Sequence, residues 1–333
     1  MKVGLAGLGF FSQFHADAWV RTPGAELVGA ADPDAAARSR FAEAFPGVPL
    51  LSGAGELLEV TRPDVIDVVT RPELHAEVSR EAFRRNVHVI CQKPLAPDLE
   101  TSRRLVEEAD SAGVRLLVHD NWSFQPWWVA VREAIGRGEL GRVFFARFSV
   151  RAGDGRGPAP FPNQPYFSAM PHFFFYETAI HQVDLARALL GEVRSVRALA
   201  GRVRGDIAGE DFGAALLRME SGALVVIEGN RWSEAPDRND AFGESVLEGT
   251  AGRVRVEASG RTLLESVGGV ARTLHETGAA AGRGYRGDSV KATIDHLLAA
   301  LESGEESRLE GRRYLRTMEA VFAVYAELEK EDR

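Results

Sequence analysis

The sequence predicts an α/β chain of two domains: an N-terminal doubly wound parallel sheet, then an α+β domain with a large, mainly antiparallel open sheet. Three observations carry this. Up to about residue 119, short apolar β-rich runs alternate with amphipathic helical stretches, the pattern of parallel strands joined by crossover helices. Beyond residue 190, strand-like runs follow one another with only short turns, and such strands pair antiparallel because parallel pairing needs a long crossover. The length, 333 residues, suits roughly two domains of ordinary size.

In the first domain, residues 1–120, strands are expected at 2–9, 26–32, 65–70, 87–92 and 115–119, with helices at 11–20, 35–45, 75–86 and 99–112. The second, residues 121–333, opens with a helix at 127–136 and a strand at 143–150. A Pro-, Gly- and aromatic-rich stretch, 151–175, follows without a period. A helix at 177–190 ends at Gly191, a C-cap glycine. Strands are then expected at 195–203, 212–219, 223–232, 244–248, 253–258 and 261–267, and helices at 288–302 and 312–329. The Ala/Gly/Arg-rich stretch 278–287 reads as a mobile loop.

With 45% hydrophobic and 26% charged residues, the chain has the composition of a soluble globular protein with ample material for a core. A net charge of −8 and no long Lys/Arg run argue against a nucleic-acid partner. No apolar run is long enough to span a bilayer, and the N-terminus enters a strand pattern without a secretory h-region. Cys91 is the only cysteine, which excludes an intrachain disulfide and the Cys-based zinc motifs. A cytoplasmic protein is expected.

The first strand runs into Gly7-Leu8-Gly9-Phe10-Phe11-Ser12, a Gly-x-Gly-x-x-Ser triplet on a strand-to-helix turn. Gly7 permits the tight turn, Gly9 lets backbone N–H groups approach a diphosphate, and Ser12 is small enough for helix to pack on strand. Asp32 stands at the end of the second strand, where a carboxylate accepts from ribose hydroxyls and repels a 2′-phosphate. Pro33 follows it, and Arg38 is the nearest cation in sequence. The reading is a Rossmann domain for NAD(H) rather than NADP(H). The alternative is a structural turn with Asp32 as a helix N-cap.

Two further segments carry chemistry. In Cys91-Gln92-Lys93-Pro94, Lys93 sits at the C-terminal end of a strand, the edge where open parallel sheets bind ligands. Its ammonium can favour a developing alkoxide; alternatively it is a solvated strand-end lysine. Glu177, His181 and Asp184 are spaced i, i+4, i+7, so on one helix they share a face. Such a stripe can tune His181 as a general base, but a structural histidine, or a metal site with His172, fits the same spacing.

Together these segments resemble the glucose–fructose oxidoreductase, inositol dehydrogenase and MocA-like family of two-domain sugar dehydrogenases. Gly7-Leu8-Gly9 with Phe10, Phe11 and Ser12 resembles its nucleotide turn, and the strand through Thr70 with Pro72 and His75 resembles its Thr-x-Pro-x-x-His. Gln92-Lys93-Pro94 is similar to its Glu-Lys-Pro, and the segment from Glu177 to Asp184 to its Asp-x-Gly-x-His-x-x-Asp. The run from His119 to Trp127 resembles the entry into its second domain.

The resemblance implies that Gly7, Gly9, Phe10, Phe11, Asp32, Thr70, Pro72, His75, Gln92 and Lys93 contact the cofactor. It implies that Lys93 and His181 flank the substrate carbon with Glu177 in support, and that Asn121, Trp122, Tyr166 and Asp184 face a sugar or polyol. No metal is implied, and homodimers or homotetramers are. Three departures bear on substrate choice: Gln92 for Glu, Glu177 for Asp, and Ser123 where relatives often carry Arg. The expected activity is NAD-dependent oxidation of a secondary alcohol of a sugar, cyclitol or polyol. Two alternatives share the fold: transient oxidation on NAD with no net redox change, and a non-catalytic NAD-binding regulator, against which Lys93 and His181 count.

Overall fold

The computed structural model describes residues 1–235, 240–269, 271–277 and 284–331. Six strands form the first sheet: β1 (Lys2–Ala6), β2 (Glu26–Ala31), β3 (Leu50–Leu51), β4 (Val65–Val68), β5 (His88–Gln92) and β6 (Leu116–His119). Their order is β3-β2-β1-β4-β5-β6, and every pairing is parallel. Five helices connect them: α1 (Ser12–Arg21), α2 (Ala35–Ala44), α3 (Ala54–Thr61), α4 (Pro72–Phe83) and α5 (Leu99–Ser111). The central strands β1, β4 and β5 are buried on both faces, which is why they read as continuous apolar runs. Order reverses between β1 and β4, so the C-terminal ends of β1, β4 and β5 form the crevice where such sheets take ligands.

Among the described residues the second sheet has eight strands: β7 (Val143–Arg151), β8 (Val193–Gly201), β9 (Phe212–Met219), β10 (Leu224–Asn230), β11 (Ser245–Gly249), β12 (Gly252–Val256), β13 (Thr262–Ser266) and β14 (Arg272–His275). They run in the order β14-β13-β12-β11-β7-β10-β9-β8, antiparallel except for β7 with β10. That parallel pair is spanned by a long crossover containing α7 (Ile180–Leu190). In β9 burial alternates strictly: Gly213, Ala215, Leu217 and Met219 face the core, and Phe212, Ala214, Leu216 and Arg218 face outward. The period of two thus fixes which face is covered. Helix α6 (Pro126–Gly136) precedes β7.

The chain forms two units: Met1–Asn121 with Asp288–Met318, and Trp122–Gly287 with Glu319–Arg333. The expected division gave everything after residue 120 to the second domain. Instead, α8 (Ser289–Ser303) and the start of α9 (Gly311–Glu331) belong with the first. Side chains and main chain together explain the return: Arg21 pairs with Asp288, Asn121 Nδ2 donates to Ser289 Oγ at 2.7 Å, and the main chain at Leu117 forms an antiparallel bridge with Glu310.

Strands β3 and β14 and helix α3 were not expected from the sequence. Of the loop expected at 278–287, residues 278–283 lie outside the described residues. Among the described residues no helix is long and apolar enough to cross a membrane.

Candidate active site

In the first unit the glycine turn is shaped by what surrounds it. Gly7 has φ +93°, and a Cβ there would meet the Val69 carbonyl oxygen at 2.7 Å, so only glycine fits. A Cβ on Gly9 would meet nothing within 4 Å; it would instead fill the open space that a diphosphate needs to reach bare backbone. Helix α1 opens immediately after, with Ser12 Oγ donating back to the Gly9 carbonyl at 2.7 Å. Phe10 is exposed, and Phe10 and Phe11 both pack edge-on against Phe14.

Asp32 closes the turn. Its Oδ2 accepts from Leu8 N–H and its Oδ1 from Asp34 N–H, each at 2.8 Å. Asp34, not Asp32, caps α2, by accepting from Ala36 N–H. The helix-cap alternative for Asp32 is thereby removed. Arg38 spends its Nη1 on the main-chain carbonyls of Asp32 and Pro33, at 2.6 and 3.0 Å.

Along the same sheet edge, Pro72 and His75 are buried. His75 lies 3.1 Å from the Thr70 carbonyl and 2.9 Å from that of Pro94, and burial lowers its pKa. It therefore ties two loops of the edge together. Lys93 is half-buried at the end of β5, ahead of a cis bond to Pro94. Its N–H donates to Gln92 Oε1 at 2.7 Å. Behind Gln92 lie His15 and Asp67, both fully buried, which the motif reading missed. The available signal was an aspartate inside the apolar run of β4, which needs a buried partner.

In the second unit the expected helix from residue 177 begins instead at Ile180, after a π-helical turn over Phe174–Thr178. Within it the Ala179 N–H reaches back to the Phe174 carbonyl at 2.7 Å, while Glu210 accepts the N–H groups of Phe173 and Phe175, and Tyr325 OH accepts that of Tyr176. Glu177 and His181 are therefore not i and i+4 on one α-helix. The Glu177 carboxylate accepts from Arg231 at 3.0 Å and from the Thr178 hydroxyl at 2.8 Å. Arg231 is buried, pairs also with Asp154, and lies 5.1–5.4 Å from the ring centres of Phe161, Phe167 and Phe173. Burial works against its charge, and Asp154 and Glu177 more than offset it, so its pKa is raised.

His181 is half-buried, its ring stacked 5.3 Å from Trp122. Phe242 stacks on Trp122 at 5.1 Å, and Arg286 caps Phe242 at 3.7 Å. Trp122 is 1% exposed, with a ring stacked on either side. Asn121 and Asp184 are equally buried, Asn121 on Ser289 and Asp184 within 4.0 Å of Arg187. Tyr166 is half-buried, with its OH accepting from Gln164 at 3.0 Å, and keeps its place as a candidate. His172 packs on Tyr325, and among the described residues no group of three or more His, Cys, Asp or Glu is arranged to hold a metal.

Comparison with known proteins gives the following. Residues 1–120 match the model of an oxidoreductase family with an NAD-binding Rossmann fold, and residues 128–255 match the GFO/IDH/MocA C-terminal domain. The chain is 32% identical to a D-apiose dehydrogenase of Paraburkholderia graminis, over 97% of this chain and 86% of that one. It is 29% identical to inositol 2-dehydrogenase 4 of Saccharopolyspora erythraea, over 68% of this chain and 66% of the relative. Among solved structures, an oxidoreductase from Agrobacterium radiobacter in complex with NAD+, L-tartaric acid and magnesium is 27% identical. It superposes with a TM-score of 0.90, covering 99% of this chain and 97% of that one.

Proposed function

Because the chain belongs to the GFO/IDH/MocA oxidoreductase family, we propose that it oxidises a secondary alcohol of a sugar or cyclitol with NAD as hydride acceptor. The observation that carries the reading is the pairing of Gly9, whose backbone is open, with Asp32, whose carboxylate both fixes the turn and repels a 2′-phosphate. The turn at Gly7 and Gly9, with Asp32, would hold NAD, which would supply the acceptor for the carbinol hydride, so that alcohol and NAD+ would give a ketone, NADH and one proton.

The chain's own residues do the rest. His181 accepts the hydroxyl proton, with its ring held by Trp122. The Lys93 ammonium stabilises the oxygen as negative charge develops on it. Glu177, bound to Arg231, is a positioning residue for the turn that leads into α7. Residues 1–120 serve as the cofactor domain and the second sheet as the substrate and association domain. The outward sheet face exposes Leu216, and the exposed Leu199, Phe212 and Trp232 line a groove of about 490 Å³, which supports a homodimer or homotetramer.

A screen of D-apiose, inositols, other sugars and sugar lactones with NAD and NADP, followed by NADH absorbance, tests the reading. NAD-dependent absorbance with at least one of these is expected. Product formed without any absorbance change would replace it with a redox-neutral reaction.

A further inference from the structure

A buried chain of hydrogen bonds runs behind Lys93. Lys93 N–H donates to Gln92 Oε1 at 2.7 Å, and Gln92 Nε2 stands 3.1 Å from His15 Nε2. His15 Nδ1 lies 2.7 Å from Asp67 Oδ2, which also accepts the Trp19 indole N–H at 2.6 Å. Donor chemistry fixes every proton in this chain. A backbone N–H only donates, so Gln92 turns its carbonyl toward Lys93 and its NH2 toward His15. An amide NH2 also only donates, so His15 Nε2 accepts and the ring proton sits on Nδ1, shared with Asp67.

We propose that Gln92 is a positioning residue for Lys93: it holds His15 as the neutral Nδ1–H tautomer, and through that fixed proton arrangement it holds the lysine backbone without a titrating link. A glutamate here would accept on both oxygens, so His15 would have to donate from both nitrogens as an imidazolium. Raising the pH would remove that second proton, set a carboxylate against a lone pair, and release Lys93.

The other ionisable groups near His15 do not supply the charge instead. His119, with its ring 4.2 Å from that of His15, is pushed down to about 3, mainly by burial. Burial pushes the Cys91 thiol up, helped by Asp67. Asp120 lies beyond His119, its carboxylate accepting from Tyr314 OH.

The inference about Lys93 rests on its proposed role, so the test has two independent arms. In the first, histidine-labelled, NAD-bound protein is followed by proton–nitrogen correlation NMR from about pH 6 to about pH 9, with His15→Asn assigning the signal. The Nδ1–H tautomer, unchanged over this range, is expected in the wild type. An imidazolium that loses its proton as pH rises is expected in Gln92→Glu. An Nε2–H tautomer or a titrating His15 in the wild type overturns the proposal even if the variant does not fold.

In the second arm, kcat is measured with the best substrate of the screen. The ratio of Gln92→Glu to wild type should fall on the order of tenfold as pH rises; a pH-independent ratio overturns the positioning role. If Lys93→Ala keeps wild-type turnover while the tautomer is as expected, the role of Lys93 falls and the lock on His15 stands.

Discussion

Asp32 combines two functions in one carboxylate. Its two oxygens hold Leu8 N–H and Asp34 N–H, and the proposed function adds the ribose hydroxyls. Hydrogen bonds to a charged group contribute about 1.5–3 kcal/mol each. Asp32→Ala should therefore weaken NAD binding by roughly tenfold to a hundredfold. NADP should lose less, because repulsion of its 2′-phosphate goes with the carboxylate. Titrating both dinucleotides decides this, and equal losses would leave Asp32 only its part in the turn. Lys93→Ala and His181→Ala should each lower kcat by roughly 10²–10⁴-fold while NADH affinity stays within about twofold, since neither residue is placed on the ribose or diphosphate. Identity at this scale was legible in the sequence, but exposure was not. Asn121, Trp122 and Asp184 sit in the right motifs yet are buried, and burial is set by residues far along the chain, such as Ser289 for Asn121 and Phe242 for Trp122.

Among elements, those with a strong period were legible, and those shaped by a distant partner were not. β9 was predicted to the residue because its alternation is strict. β3 has two residues and therefore no period to read. The turn over Phe174–Thr178 straddles the aperiodic stretch and the expected helix start, and its N–H groups are held by Glu210 and Tyr325, neither of which is near it in sequence. Arg231 is the key to that turn, because it satisfies Glu177, Thr178 and Asp154 together. Removing one partner of a buried ion pair leaves the other charge uncompensated and costs about 3–5 kcal/mol. Arg231→Met should lower stability by about that amount in urea denaturation. The double change Arg231→Met with Glu177→Gln should recover part of it, because no mostly buried carboxylate is then stranded. If the double variant is no more stable than the single, the guanidinium serves the three phenylalanine rings and not Glu177.

For the whole molecule, the alternation of strands and helices gave the doubly wound sheet, whereas the return of Asp288–Met318 to the first unit has no local signal. That return completes the burial of His119, whose Nε2 faces the Val290 carbonyl. His119 is held down to about 3 from an ordinary 6.5, chiefly by burial, and burial lowers His75 in the same direction. The consequence is a pH dependence of stability with a definite sign. Below pH 6.5 the unfolded chain takes up a proton on His119 that the folded chain refuses until about pH 3. Stability should therefore fall as pH drops through that window, by about 1.4 kcal/mol per pH unit from His119 alone, and by more with His75. Urea denaturation midpoints between neutral pH and about pH 5 measure the slope. His119→Gln, which keeps a polar side chain but cannot titrate, should flatten the decline by about one proton's worth. A variant that loses stability with the same slope as the wild type would mean that His119 is not the buried neutral group responsible.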